Sequence, residues 1–184
     1  MFRVLFWEKQ HHVSKKVGSR QTNKIPILDP HELSAGKITA LFARHASRDL
    51  FDTNDLLSEI DLNHEKLRLA CILYGAMSSK DWRNTKVDLI SFEETELQKQ
   101  LFPVLQWSYL KNISDKHLWC KKLVHKCRTE LKEIINFKSN ELEFFDRLYE
   151  QGKVSPELLT KDTVLQEKIS IHPLLKWKAI LSKR

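Results

Sequence analysis

Apolar residues recur along this chain mostly at three- and four-residue intervals, and the main departure from that rhythm lies near the N-terminus. Residues 2–7, Phe-Arg-Val-Leu-Phe-Trp, mass aromatic and β-branched side chains over strand length and predict one strand. A lone strand leaves its ladder hydrogen bonds unmet. Its partner is therefore either a weak hairpin drawn from residues 10–24 or sheet that this chain does not contain. At Asp29 the helix-start signals accumulate: Asp29 as cap, Pro30 in the first position, and Glu32 to close a capping box, giving a helix from Pro30 to Arg44. Ser47 is read as the cap of a second helix running through Leu56 and Leu57, and the short connector makes the two helices neighbours. Further helical rhythm occupies 65–76, 95–109 with a break or kink at Pro103, 115–136, 139–151 and 163–170. Residues 136–140 and Gly152 read as stops, and Ser155-Pro156 and His172-Pro173 as new starts.

Composition narrows this picture. Of 184 residues 41% are hydrophobic, enough for a sizeable core, and only four glycines and five prolines interrupt the helical stretches, which excludes an all-β chain. A formal charge of +7 favours phosphate-rich partners without proving one. Cys71, Cys120 and Cys127 form no C-x-x-C pair, and the eight histidines, His11-His12 included, show no spacing backed by a third ligand. The thiols read as core groups in a reducing compartment, and no metal is assigned. Trp82, Trp107, Trp119 and Trp177 are expected to be core or interhelical anchors. No serine or cysteine has a local activating signature. Without a secretory signal or a membrane-spanning run, a cytoplasmic protein that does not engage membranes is expected.

Candidate chemistry concentrates in the first helix pair. At 100° per residue from Leu33, Arg44 falls at about 20° and Lys37 at about 40°, between Leu33 and Ala40 on one side and Ile38, Leu41 and Phe42 on the other. Cations inside an apolar face must snorkel, pair with carboxylates or meet an anionic ligand. Asp49 and Asp52, three apart on the second helix with Arg48 beside them, are candidate partners. An internal ion-pair cluster and a ligand site both satisfy this spacing.

The segment His31-Glu32-Leu33-Ser34-Ala35-Gly36-Lys37-Ile38-Thr39-Ala40-Leu41-Phe42-Ala43-Arg44, followed by Ser47-Arg48-Asp49-Leu50-Phe51-Asp52, resembles the E-L-x-A-x-K-x-x-A-L-x-x-R…R-D-[LF]-[FY]-D pattern of the AbiEii/AbiGii nucleotidyltransferase family. Similarity extends to Leu73-Tyr74-Gly75-Ala76, Asp81-Trp82-Arg83, Glu96-Leu97 and Pro173-Leu174-Leu175-Lys176-Trp177-Lys178. The resemblance implies a toxin of a type IV toxin–antitoxin or phage-defence system. Such a toxin transfers a nucleotide from a nucleoside triphosphate to an acceptor, a tRNA in some members, with Mg²⁺, and is encoded beside an antitoxin.

By the same resemblance, Lys37 binds nucleotide phosphates, and one of Asp49 and Asp52 orients the reacting centre or assists the acceptor hydroxyl. Glu32 and Arg44 hold the others in place, and Arg48 either binds phosphate or tethers Asp52. The family's G-S…D-x-D motif, whose carboxylates clamp metal and nucleotide, is not visible. Gly18-Ser19 copies the dipeptide, but the next acidic residue is Asp29. The expectation is a chain that begins near the family's last catalytic-domain strand, holds Mg²⁺ and nucleotide only weakly, and by itself transfers nucleotide at background rates.

A run of Lys116, His117, Lys121, Lys122, His125, Lys126, Arg128 and Lys132 accompanies an apolar stripe of Leu118, Val124, Cys127 and Leu131. It is either a solvated helix face or an RNA-backbone platform centred on Lys121, Lys122 and Lys126. The expected architecture is mainly α, a truncated α+β fold. Residues 1–28 are the remnant of a polymerase-β-like nucleotidyltransferase sheet, 29–60 the motif-bearing helix pair, and 61–184 a C-terminal helical bundle. Two other functions stand beside transfer: a non-catalytic remnant that binds RNA or protein, and a plain basic interaction module. The module predicts Lys37, Asp49 and Asp52 apart on solvated surfaces.

Overall fold

The computed structural model describes residues 5–14 and 16–182, with the side chains of Ser108 and Tyr109 outside that description. Two short strands, β1 (Gln10–His12) and β2 (Ile25–Ile27), pair antiparallel with His11 opposite Pro26. The chain turns between them at Gly18-Ser19, flanked by the Val17–Arg20 bridge. Gly18 takes φ +63°, the left-handed conformation that a tight hairpin turn needs. The Gly-Ser dipeptide is therefore a hairpin tip. Of the strand expected over 2–7, residues 2–4 lie outside the described residues, and 5–7 are not strand. The N–H groups of Phe6 and Trp7 donate to the Glu32 carboxylate at 3.3 and 3.2 Å, which does for them what a neighbouring strand would.

Helices follow: α1 (Pro30–Arg44), α2 (Ser47–Glu59), α3 (His64–Ala76), α4 (Glu94–Glu96), α5 (Trp107–Leu110), α6 (Lys116–Ile135), α7 (Ser139–Gln151), α8 (Thr163–Ile171) and α9 (Pro173–Leu181). The mainly helical class with a small N-terminal sheet is as expected. Asp29 caps α1 through the His31 N–H with Pro30 at the first position, and Gly152 closes α7 at φ +59°. Around Pro103 the expected long helix is four pieces: α4, a π-turn at Leu97–Leu101, a 3₁₀ turn at Phe102–Val104 and the short α5. Proline offers no N–H to an α-helical ladder, so the chain changes its winding there.

One apolar cluster joins Phe6, Ile38 and Leu41 of α1, Leu50 of α2, Leu67, Ile72 and Leu73 of α3, Leu131 of α6, Phe144 and Phe145 of α7, and Leu175 of α9. Arg68 binds this core across elements. Its guanidinium lies 2.5 Å from Glu141 and reaches the carbonyls of Glu133 and Asn136 at the end of α6. Trp82 is buried and Trp119 lies 6.1 Å from both Phe51 and Phe102. Trp107 and Trp177 are instead exposed, at 79% and 56%, because their helices turn those positions away from the core. The three cysteines are free and buried.

The candidate active site on the α1–α2 seam

Helix α1 buries His31, Ser34, Ala35, Ile38, Leu41 and Phe42, whereas Leu33 is 38% exposed. Lys37 and Arg44 therefore lie on the rim of the buried face, not within it, and both point across the seam to α2. Two ion pairs bridge the helices. Lys37 Nζ stands 2.6 Å from Asp52 Oδ2, and Arg44 grips Asp49 with Nε at 3.0 Å and Nη2 at 2.8 Å. Seven residues separate the cations and three the carboxylates, so the short connector folds the pairs into two rungs.

The rungs differ in solvent access. The difference lies in the carboxylates: the Lys37 and Asp52 side chains are 38% and 41% exposed, whereas in the other rung Arg44 is 65% exposed but Asp49 only 5%, with both oxygens held by Arg44. An exchangeable pair in partial solvent is worth about 0–1 kcal/mol. A buried carboxylate under a two-bonded guanidinium holds the helices in register instead.

Below Asp52 on the solvent ridge of α2, Asp55 carries a raised carboxyl pKa, first from burial and then from the charges of Glu59 and Asp52. Arg48 neither tethers Asp52 nor faces Lys37; its Nε donates to the Gln100 carbonyl at 2.8 Å. Glu32 is fully buried on the far side of α1, where it also accepts the Tyr74 hydroxyl at 3.1 Å. Its job is to dock the N-terminal segment, so it does not close the capping box the sequence suggests.

Ser47 is the first helical residue of α2 rather than its cap. The cap is Ala46, and Glu96 receives both the N–H and the hydroxyl of Ser47. A carboxylate at a helix start meets unpaired N–H groups and the positive end of the dipole, which explains Glu96. No local signal in the sequence links residues 49 positions apart. Lys121, Lys122 and Lys126 are all exposed on α6, with Lys126 Nζ 2.5 Å from Ser58 Oγ at the end of α2.

A divalent metal needs several carboxylate oxygens free to converge. Asp49 spends both of its own on Arg44, and among the described residues no group of three or more His, Cys, Asp or Glu side chains is placed to hold a metal ion. The described residues therefore do not fit a divalent metal by themselves. On the seam Lys37 pairs with Asp52 and Arg44 with Asp49, whereas the plain interaction-module reading predicts Lys37, Asp49 and Asp52 apart on solvated surfaces. No helix among the described residues is long and apolar enough to cross a membrane.

No curated protein and no solved structure matches this chain. A family model, that of the nucleotidyl transferase AbiEii toxin of type IV toxin–antitoxin systems, matches residues 4–116. The match takes in both ion-pair rungs, Glu32, Tyr74 and Glu96, and ends at the first residue of α6. Covering more than half of the sequence, with the Lys37 and Asp52 motifs paired on one seam, it establishes that the chain belongs to the AbiEii nucleotidyl transferase toxin family.

Proposed function

We propose that this chain carries the Lys37–Asp52 half of a nucleotidyl transfer site, with the metal-binding carboxylates supplied from outside the described residues. Membership in the family implies a nucleoside triphosphate substrate and an antitoxin. The observation that carries the reading is the 2.6 Å Lys37–Asp52 pair, in which both the cation and the carboxylate are partly open to solvent, whereas the carboxylate of the neighbouring rung, Asp49, is buried. Lys37 takes the phosphates of the triphosphate and steadies charge on the leaving pyrophosphate. Asp52, released from Lys37, receives the proton of the acceptor hydroxyl. Asp49 and Arg44 position them. Mg²⁺, when bound, supplies charge neutralisation at the phosphates, and the acceptor is RNA of the tRNA kind, lying along Lys121, Lys122 and Lys126. The setting is the cytoplasm, and this chain alone transfers nucleotide at background rates.

Two measurements test it. Purified chain, Mg²⁺, labelled nucleoside triphosphates and tRNA are expected to give background incorporation; robust labelling overturns the missing clamp. Titration with a triphosphate, followed by NMR, is expected to move the amides around Lys37 and Asp52. Lys37→Ala should abolish those shifts, whereas Asp49→Asn should leave them and lower stability by about 1–3 kcal/mol, the usual loss when a hydrogen bond to a charged group goes. Shifts elsewhere, or shifts indifferent to Lys37, overturn the assignment.

A non-catalytic binding function is the second reading, and the lack of a metal-holding group among the described residues favours it. It predicts that RNA binds while triphosphate leaves the seam unmoved.

A further inference from the structure

Several of the cations on the walls of this molecule's cavities are paired with carboxylates. Beside Trp7, Arg68 meets Glu141 at 2.5 Å and Lys66 meets Asp29 at 2.6 Å. The cavity between the Glu94 segment and Lys116 carries Glu94 and Asp115, with Glu94 against His117. The pocket between α6 and residues 90–92 is different. It encloses about 310 Å³ and draws its polar groups from Ser91, Lys121, His125 and Arg128, with no carboxylate on its wall.

Lys121, His125 and Arg128 stand four and three residues apart and so share one face of α6. Arg128 is fixed there by carbonyls. Its Nε and Nη2 donate to Ile90 O at 3.2 and 2.8 Å, and Nη2 also to Asp88 O at 2.9 Å. Neutral acceptors hold a guanidinium in place without cancelling its charge. Lys121 and His125 are exposed and form no ion pair among the described residues. Phe92, braced edge-on by His117 at 5.6 Å, and Val124 give the same pocket an apolar wall.

We propose that this pocket holds one nucleotide of a single-stranded RNA, its phosphate on Lys121, His125 and Arg128 and its base against Phe92 and Val124. A cation fixed by carbonyls, in a pocket whose lining includes no carboxylate, selects an anion. The apolar wall selects one attached to a ring, and aromatic faces accept any base. The volume sits at the lower end of the range for small-molecule sites, about 300–1,000 Å³, which suits a single nucleotide unit. Lys122, exposed next to Lys121, continues the positive ridge along which a strand would run. The proposal rests on the RNA-acceptor reading and gives that acceptor a seat. Because α6 begins where the family match ends, the cations of the seat lie beyond the matched segment, whereas its other wall, residues 90–92, lies within it.

The test is fluorescence anisotropy of a short labelled single-stranded RNA with the full chain, without triphosphate or metal. The pair Lys121→Ala with His125→Ala should weaken binding by about tenfold and flatten the salt dependence by roughly 0.7 in log–log slope for each phosphate that is no longer neutralised. Phe92→Leu, which keeps the packing, should weaken binding without changing the slope. Lys153→Ala, an exposed lysine elsewhere, should change neither. Unchanged binding in the pocket variants, or an equal loss in Lys153→Ala, overturns the proposal. Displacement of the RNA by a nucleoside monophosphate at concentrations near the RNA dissociation constant overturns the strand in favour of a free nucleotide. No triphosphate enters this assay, so a failure of the transfer reading leaves its outcome unaffected.

Discussion

Single side chains in this protein divide by what they can exchange with. Lys37 and Asp52 face solvent and have one partner each to give up, whereas Asp49, Glu32 and Asp29 are buried and spend their oxygens on neighbours. Asp29 shows how burial and pairing compete. Burial alone raises its carboxyl pKa, but hydrogen bonds from the Lys66 ammonium, then from His31, outweigh burial and leave it below its ordinary 3.8. With the folded value depressed, the ionised carboxylate stabilises the fold above the unfolded value, and that contribution is lost as pH falls through the folded one. Asp29→Asn should therefore be less stable than the native chain at neutral pH, with the gap closing below 3.8. Urea unfolding followed by circular dichroism reads this directly, and a gap that stays constant with pH refutes it. Cys120 and Cys127, pushed up to about 11 chiefly by burial, belong to the inert group as well.

At the scale of elements, close approach explains the familiar motifs. Gly75 lies in α3, and a Cβ there would come within 2.1 Å of Trp82 Cδ2. The indole occupies the space a side chain at Gly75 would take and meets Phe42 of α1 edge-on at 5.8 Å. Leu73-Tyr74-Gly75-Ala76 and Asp81-Trp82-Arg83 are thus one packing device: Gly75 makes room, Trp82 fills it, and Arg83 locks the turn to Asp146 of α7 at 2.7 Å. Gly75→Ala is expected to cost about 3 kcal/mol, the upper part of the range for overpacking a core, and to expel Trp82. Tryptophan fluorescence should shift to the red along with the loss of stability. A variant as stable as the parent would mean the indole has another place to go.

For the whole molecule, the matched segment and the core do not coincide. The family match stops at Lys116, yet Leu123, Cys127, Leu131 and Ile134 of α6 are buried against α2 and α3 in the same cluster as Leu50 and Leu67. Arg68 of α3 likewise needs Glu141 of α7, and an arginine left buried without its partner is costly, about 3–5 kcal/mol. A fragment of residues 4–116 should therefore fail to fold alone, with the circular dichroism of a largely disordered chain and poorly dispersed amide signals. Cooperative unfolding of that fragment would instead mean that the matched segment is a folding unit without α6 and α7.

Local order in the chain was legible because its causes are local. Asp29-Pro30 starts α1, the interval of seven between Lys37 and Arg44 puts both on one stripe, and three residues separate Asp49 from Asp52, so the sequence alone determined a mainly helical chain with these four groups on neighbouring helices. Which cation takes which carboxylate, and which rung faces water, depends on how α1 rolls against α3 and α2 against α6. That is set by close packing of side chains far apart in sequence. The roles of Glu32 and Glu96 were decided the same way: both ended on backbone N–H groups that folding had left without partners. The pocket of Lys121, His125 and Arg128 became a site only when residues 88–90 crossed α6 and gave Arg128 carbonyls instead of carboxylates. Periodicity shows that side chains share a face, but only the tertiary structure shows which charges on that face remain uncompensated.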